Sequence, residues 1–139
     1  MGGFGAIKIA LSHPDHFSFA GALSAAIDVP RRQFSIKRIQ QYRALSSIFG
    51  PWGSVSRHSN DPFLIARTVA SAEAPYLFLS CGDGESLLAV NREFAAVLAE
   101  QHLRYEFHVV TGGHEWKQWN EQLPSLFERL LQRVGGETR

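Results

Sequence analysis

Cysteine occurs once, at Cys81, which excludes an internal disulfide framework and any cysteine-built zinc site. Neither sign of charge is in excess: 14 Lys and Arg face 13 Asp and Glu, a net charge of +1. Bulk charge therefore points to no nucleic-acid partner and no anionic membrane surface. No apolar run reaches the roughly 18 residues of a membrane-spanning helix. Internal repeats and low-complexity tracts are missing too. The opening stretch has no basic region followed by an apolar core and a small-residue cleavage site, so it does not read as a secretory leader. What is present is ordinary globular composition, 45% hydrophobic and 19% charged over 139 residues. This is enough for one domain, residues 1–139, with a single core.

Hydrophobic spacing and turn residues give the order of elements. Ala6 to Ser12 reads as a short buried helix, stopped at His13-Pro14-Asp15. Phe17 to Ser24 reads as a buried strand whose small residues admit a closely packed helix. Asp28 to Gln33 reads as a loop. Phe34 to Phe49 carries Ile36, Ile39, Tyr42, Leu45, Ile48 and Phe49 at helical spacing. Gly50 to Ser54 is a loop by composition. Asn60-Asp61-Pro62 is a cap followed by proline in the first turn of a helix over Phe63 to Ser71. Tyr76 to Cys81 is an apolar run suited to a central strand. Leu87 to Gln101 is an amphipathic helix with Leu88, Phe94, Val97 and Leu98 inward. Arg104 to Val110 reads as a strand. Glu115 to Val134 is a closing helix that Pro124 is expected to kink or divide, before a frayed tail from Gly135. Alternation of this kind predicts an α/β fold with about three parallel strands, right-handed crossovers and helices on both faces. Functional groups of such sheets gather in loops beyond the C-terminal strand ends.

Two of those loops carry chemistry. Thr111-Gly112-Gly113-His114-Glu115-Trp116 sets a histidine after two glycines, between a strand and a helix. That setting suits a projecting base, and equally an ordinary surface histidine. Gly82-Asp83-Gly84-Glu85 places two carboxylates after the preceding strand. Either can orient an imidazole as the acid of a nucleophile–base–acid triad, or simply favour the start of the next helix. Together the loops bring an acid and then a histidine, the chain order of the last two triad members in α/β-hydrolases. The serine that should come first, in Gly-x-Ser-x-Gly on a strand-to-helix turn, is not seen. Instead Met1-Gly2-Gly3-Phe4-Gly5-Ala6 leads into a helix, although three glycines in five residues is an unusual helix start.

These segments resemble the C-terminal half of an esterase family of α/β-hydrolases that includes S-formylglutathione hydrolases, feruloyl and acetylxylan-type esterases and mycolyltransferase relatives. Met1-Gly2-Gly3-Phe4-Gly5-Ala6 is similar to the part of the family's nucleophile elbow that follows the serine. His13-Pro14-Asp15 is similar to its helix end, Ala22-Leu23-Ser24 to its small-residue strand end, and Cys81 to Glu85 to its acid loop. Gly112-Gly113-His114-Glu115-Trp116, with Trp119, resembles the segment around its catalytic histidine. The resemblance implies a partial α/β-hydrolase fold and a carboxylic-ester hydrolase working through an acyl-enzyme. It implies His114 as base, with Glu85 or Asp83 as acid, since aligning Gly82 sets Glu85 where the family usually has Asp. Met1 and Gly2 become the remnant of the elbow and oxyanion hole.

A chain beginning one residue after the expected nucleophile leaves His114 no hydroxyl to deprotonate. Negligible turnover of the chain by itself is therefore expected. Ser24 and Ser80 are the local stand-ins, neither in a Gly-x-Ser-x-Gly setting. Trp116, Trp119 and Trp52 offer an aromatic substrate surface or serve as core plugs. No cofactor is implied. Metal binding is not supported, because His114-Glu115-x-x-Gln118 has glutamine where a second histidine is needed. His13 and His16 near Asp15 read as a surface turn, and the glycine run lacks the dinucleotide fingerprint. The strand from Phe17 should form an open sheet edge, which invites self-association. A small-molecule ester is the substrate class implied. A non-catalytic α/β binding or assembly module is the alternative. The compartment is left open, with the cytoplasm slightly favoured: the resemblance puts any leader in the part of the family's chain that precedes Met1, and family members occur both in the cytoplasm and outside cells.

Overall fold

The computed structural model describes residues 1–136. In chain order, α1 (Gly2–Ser12) is followed by β1 (Phe19–Leu23) and a 3-10 turn (Val29–Arg31). A second 3-10 turn (Ile36–Arg38) leads into α2 (Ile39–Phe49), α3 (Val55–Ser59) and α4 (Pro62–Ala66). Then come β2 (Tyr76–Gly82), α5 (Leu88–Glu100), β3 (Tyr105–Val110) and α6 (Trp116–Gly136). The three strands form one parallel sheet in the order β1-β2-β3. Helices flank both faces, giving the expected α/β architecture.

Register sorts the side chains. Ala20 and Ala22 of β1, Leu77 and Leu79 of β2, and Tyr105 and Phe107 of β3 share one face. Ile7 and Leu11 of α1, Phe63 of α4 and Phe94 and Leu98 of α5 cover it. The other face is taken by α6. A Cβ on Gly21 would lie 2.7 Å from Leu126, so the small residue in β1 does let a helix seat closely. Arg129 of α6 grips Glu106 of β3 at 2.7 Å, and His108 stacks on Phe78. Buried on both sides, β2 is uniformly apolar until Ser80, as a central parallel strand requires.

Several expectations are corrected. The first helix starts at Gly2, not Ala6. One of its glycines serves proximity: a Cβ on Gly3 would come within 3.0 Å of Ala25, while Gly2 and Gly5 face open space, so α1 can begin hard against the end of β1. The helical spacing over Phe34 to Phe49 becomes α2 only from Ile39, and it buries only Leu45 and Phe49, which join Phe4 and Val29 in a small satellite cluster. Ile36, Ile39 and Ile48 are exposed. The loop read over Asp28 to Gln33 holds a 3-10 turn, and α3, capped by the Ser54 hydroxyl, was not foreseen. Asp61 caps α4 as expected, accepting from Phe63 N–H at 3.0 Å, but α4 ends at Ala66 rather than Ser71. Pro124 neither ends nor divides α6. Contacts on either side of it, Gln118 before and Leu126 and Arg129 after, pin the helix to the sheet and offset the one lost backbone bond. Gly135 is helical, and the rest of the expected tail, 137–139, lies outside the described residues.

Candidate active site

Parallel pairing of β2 with β3, ending at Gly82↔Val110, sets the two loops side by side. They touch backbone to backbone. Asp83 N–H donates to the Val110 carbonyl at 2.8 Å and Gly84 N–H to the Gly112 carbonyl at 3.0 Å. The approach is too close for a side chain: a Cβ on Gly82 would lie 2.3 Å from the Gly112 oxygen, and Gly112 itself has φ +136°. Glycine is required at both positions. Gln118, buried in the first turns of α6, fastens the crossing. Oriented to satisfy both partners, its amide accepts from Gly82 N–H at 2.9 Å and donates to the Gly113 carbonyl at 2.6 Å.

Glu85 and His114 meet across this crossing. Glu85 Oε2 lies 2.7 Å from His114 Nδ1. Its Oε1 accepts Gly82 N–H at 2.9 Å and the Ser24 hydroxyl. The carboxylate side chain is 1% exposed and the imidazole 57%. Burial pushes the Glu85 carboxyl up, but the bonds from Ser24, His114 and Gly82 and the charge on His114 outweigh it, so the acid sits below its ordinary value. The bond at Nδ1 assigns its proton to that nitrogen and leaves Nε2 as the basic one.

The imidazole opens on a cavity of about 370 Å³ whose walls include Met1, Gly2, Gly3, Leu23, Trp116 and Trp119. The start of α1 therefore faces the same space as His114. Its first N–H groups have no partners within the helix, and Met1, at the cap, offers no side-chain bond. The arrangement supplies a basic nitrogen beside an apolar cavity, a buried carboxylate to stabilise its protonated form, and helix-end N–H groups suited to negative charge.

The other candidates separate. Asp83 is exposed and accepts Gly112 N–H at 3.0 Å. It ties the loops together and does not bond His114, so of the two acids only Glu85 is the histidine's partner. Trp119 is a buttress as well as a cavity wall: its ring meets His114 edge-on at 4.8 Å, and its Nε1–H donates to Ser24 Oγ at 2.9 Å. Trp116, 76% exposed, stands at the rim. Trp52 lines a different cavity, with Arg57 and His58. Ser80 is buried, its Oγ 3.5 Å from Gln122. Burial, then the charge and bond of Glu85, push the Cys81 thiol up to about 12, so it is no nucleophile near neutral pH. Among the described residues no serine hydroxyl bonds His114. Gln118 and the role of Ser24 escaped the sequence reading. The buried glutamine one turn past the histidine was legible only as a failed metal motif.

Among the described residues, no three His, Cys, Asp or Glu side chains gather to hold a metal, and no helix is long and apolar enough to cross a membrane.

Comparison with known proteins shows the family. Residues 1–130 match the family described as "Putative esterase". An acetyl esterase of Caldicellulosiruptor saccharolyticus is 24% identical over 134 residues, covering 92% of this chain and 50% of the relative. An S-formylglutathione hydrolase of Staphylococcus aureus superposes with a TM-score of 0.66 at 26% identity, over 88% of this chain and 48% of that one. A fluorophosphonate-binding serine hydrolase of the same organism superposes with a TM-score of 0.70 at 25% identity, over 88% and 48%. The chain spans about half the length of the relatives it matches.

Proposed function

Because the chain belongs to this esterase family, we propose that it carries the acid–base arm of a serine carboxylic-ester hydrolase, with the nucleophilic serine supplied from outside its described residues. The observation that carries this reading is the 2.7 Å bond from Glu85 Oε2 to His114 Nδ1, with the ring opening on the cavity where α1 begins. In the reaction, His114 Nε2 takes the proton of the serine hydroxyl as that oxygen attacks the ester carbonyl. The imidazolium so formed is held by the Glu85 carboxylate. His114 then gives the proton to the departing alcohol, leaving an acyl-enzyme. Water, deprotonated by the same nitrogen, releases the acid and restores the serine. The N–H groups at Met1 and Gly2 border the same cavity as His114 and would serve as the oxyanion donors. Trp116 and Trp119, with Leu23, present apolar wall to the ester. The substrate class is a small-molecule carboxylic ester.

A non-catalytic module has less support. It gives no reason to aim a buried carboxylate at an exposed imidazole beside an apolar cavity. We also propose that the chain self-associates: β1 is an edge of the sheet, with backbone groups free to pair with another strand.

The test is hydrolysis of para-nitrophenyl acetate. The purified chain should show negligible turnover. Turnover at rates usual for serine esterases, abolished by His114→Ala, would overturn the claim that the nucleophile lies elsewhere.

A further inference from the structure

Ser24 stands at the end of β1 with φ +53°, a left-handed conformation uncommon for a residue with a side chain. Its backbone N–H is fixed to the Ser80 carbonyl at 2.7 Å, and the residue is 4% exposed. Glycine would adopt this backbone without strain, so what a serine adds here is its hydroxyl. That hydroxyl accepts Trp119 Nε1–H at 2.9 Å and sends its single proton to Glu85 Oε1. Glu85 bonds His114, and His114 meets the edge of Trp119. Four side chains thus close a ring: Ser24, Glu85, His114, Trp119.

We infer that Ser24 is a positioning residue, which fixes the Glu85 carboxylate so that Oε2 points at His114 Nδ1. This rests on the acid–base reading of that pair. A carboxylate with one oxygen free can rotate about its terminal bond, a torsion with broad wells. Two donors stop it here. Gly82 N–H, at the last residue of β2, holds Oε1 from the strand that leads directly into the acid's own loop. Ser24, at the end of the neighbouring strand β1, holds the same oxygen from across the sheet. Through Trp119 the same hydroxyl couples the acid to α6 and so to the ring it serves. Its proton is committed to Glu85, which also explains why Ser24 is no stand-in nucleophile.

The experiment is NMR on the whole chain, following the Glu85 carboxyl carbon through a pH titration and the hydrogen-bonded His114 Nδ1–H proton at low temperature. Ser24→Gly removes the hydroxyl and suits the backbone. Ser24→Ala removes it and keeps a side chain. In both, the Glu85 titration should move upward by roughly half a pH unit or more, since a donor to the charged form is lost. The His114 Nδ1–H signal should broaden or vanish while far-UV circular dichroism stays native. Trp119→Phe, which keeps a ring but not the N–H, should move Glu85 in the same direction by less. An unchanged Glu85 titration with a sharp His114 signal in folded Ser24→Gly overturns the inference. Glu85→Ala separates the two claims. If the Nδ1–H signal survives it, the acid–base pair itself is wrong and the inference falls with it. If the signal is lost there yet intact in Ser24→Gly, only the role of Ser24 is wrong.

Discussion

His114 Nδ1 and Glu85 Oε2 stand 2.7 Å apart although 29 positions separate them in the chain. The pair exists because β2 and β3 run parallel and end together, and because Gly82 and Gly112 let the following loops cross without side chains between them. A strand register one residue off would turn the two loops to different faces.

The crossing should be intolerant of bulk. Gly82→Ala puts a methyl 2.3 Å from the Gly112 carbonyl oxygen, and overpacking of this kind costs about 1–3 kcal/mol. Gly112→Ala, at φ +136°, should cost a similar ~1–3 kcal/mol from backbone strain. Urea denaturation monitored by tryptophan fluorescence measures both. A midpoint equal to that of the unaltered protein counts against the close crossing.

The two acids should behave differently. Asp83→Ala removes an exposed tie to Gly112 N–H and should cost about 1 kcal/mol or less, with the His114 Nδ1–H signal kept. Glu85→Ala should abolish that signal. The reverse outcome would make Asp83 the histidine's partner.

Stability should fall on the acid side. The Glu85 carboxyl lies below its ordinary value of 4.5 in the folded chain, and the Glu106 carboxyl does too, its burial outweighed chiefly by the bonds from Arg129 and His108. A depressed acid contributes stability that is present above the unfolded value and is lost as pH drops through the folded one. Unfolding free energy should therefore decline as pH falls below about 4.5. Glu85→Gln or Glu106→Gln should each flatten that decline, as read by urea titrations at pH 3 to 6. A slope unchanged in both variants would show that neither carboxylate is held as described.

Cys81 should be silent toward thiol reagents. It is fully buried and its thiol is pushed up to about 12. At pH 8 an aromatic disulfide reagent should label it only on unfolding in urea. Fast labelling of the folded chain would place the thiol at the surface.

The open edge of β1 should show in solution. Size-exclusion chromatography over a range of loading concentrations is expected to give species larger than 15.5 kDa. A single compact monomer at every concentration would rule out association through that edge.

Elements built from local contacts were legible in the residues. Asp61-Pro62 marked its helix start, the run from Tyr76 its central strand, and Pro14 the end of α1. These signals act within a few residues and need no partner. Where burial depends on what lies opposite, the reading went astray. The helical spacing of Ile36, Ile39, Leu45, Ile48 and Phe49 does not say which of them finds cover, and only Leu45 and Phe49 have a cluster to join. The glycines before Ala6 looked unlike a helix, yet α1 starts among them because Ala22 and Ala25 lie against Gly3.

Residue order alone determined that an acid loop and a histidine loop would end neighbouring strands, since apolar alternation and glycine-rich turns are local features. Only the tertiary structure decided which carboxylate meets the imidazole. Asp83 and Glu85 are two positions apart in one loop, and the direction of each is set by contacts from distant segments: Gly112 holds Asp83 outward, while Ser24 and Gly82 turn Glu85 inward. The spacing from Gly82 points to Glu85 only through the family resemblance; the contacts that turn it inward are made by the fold.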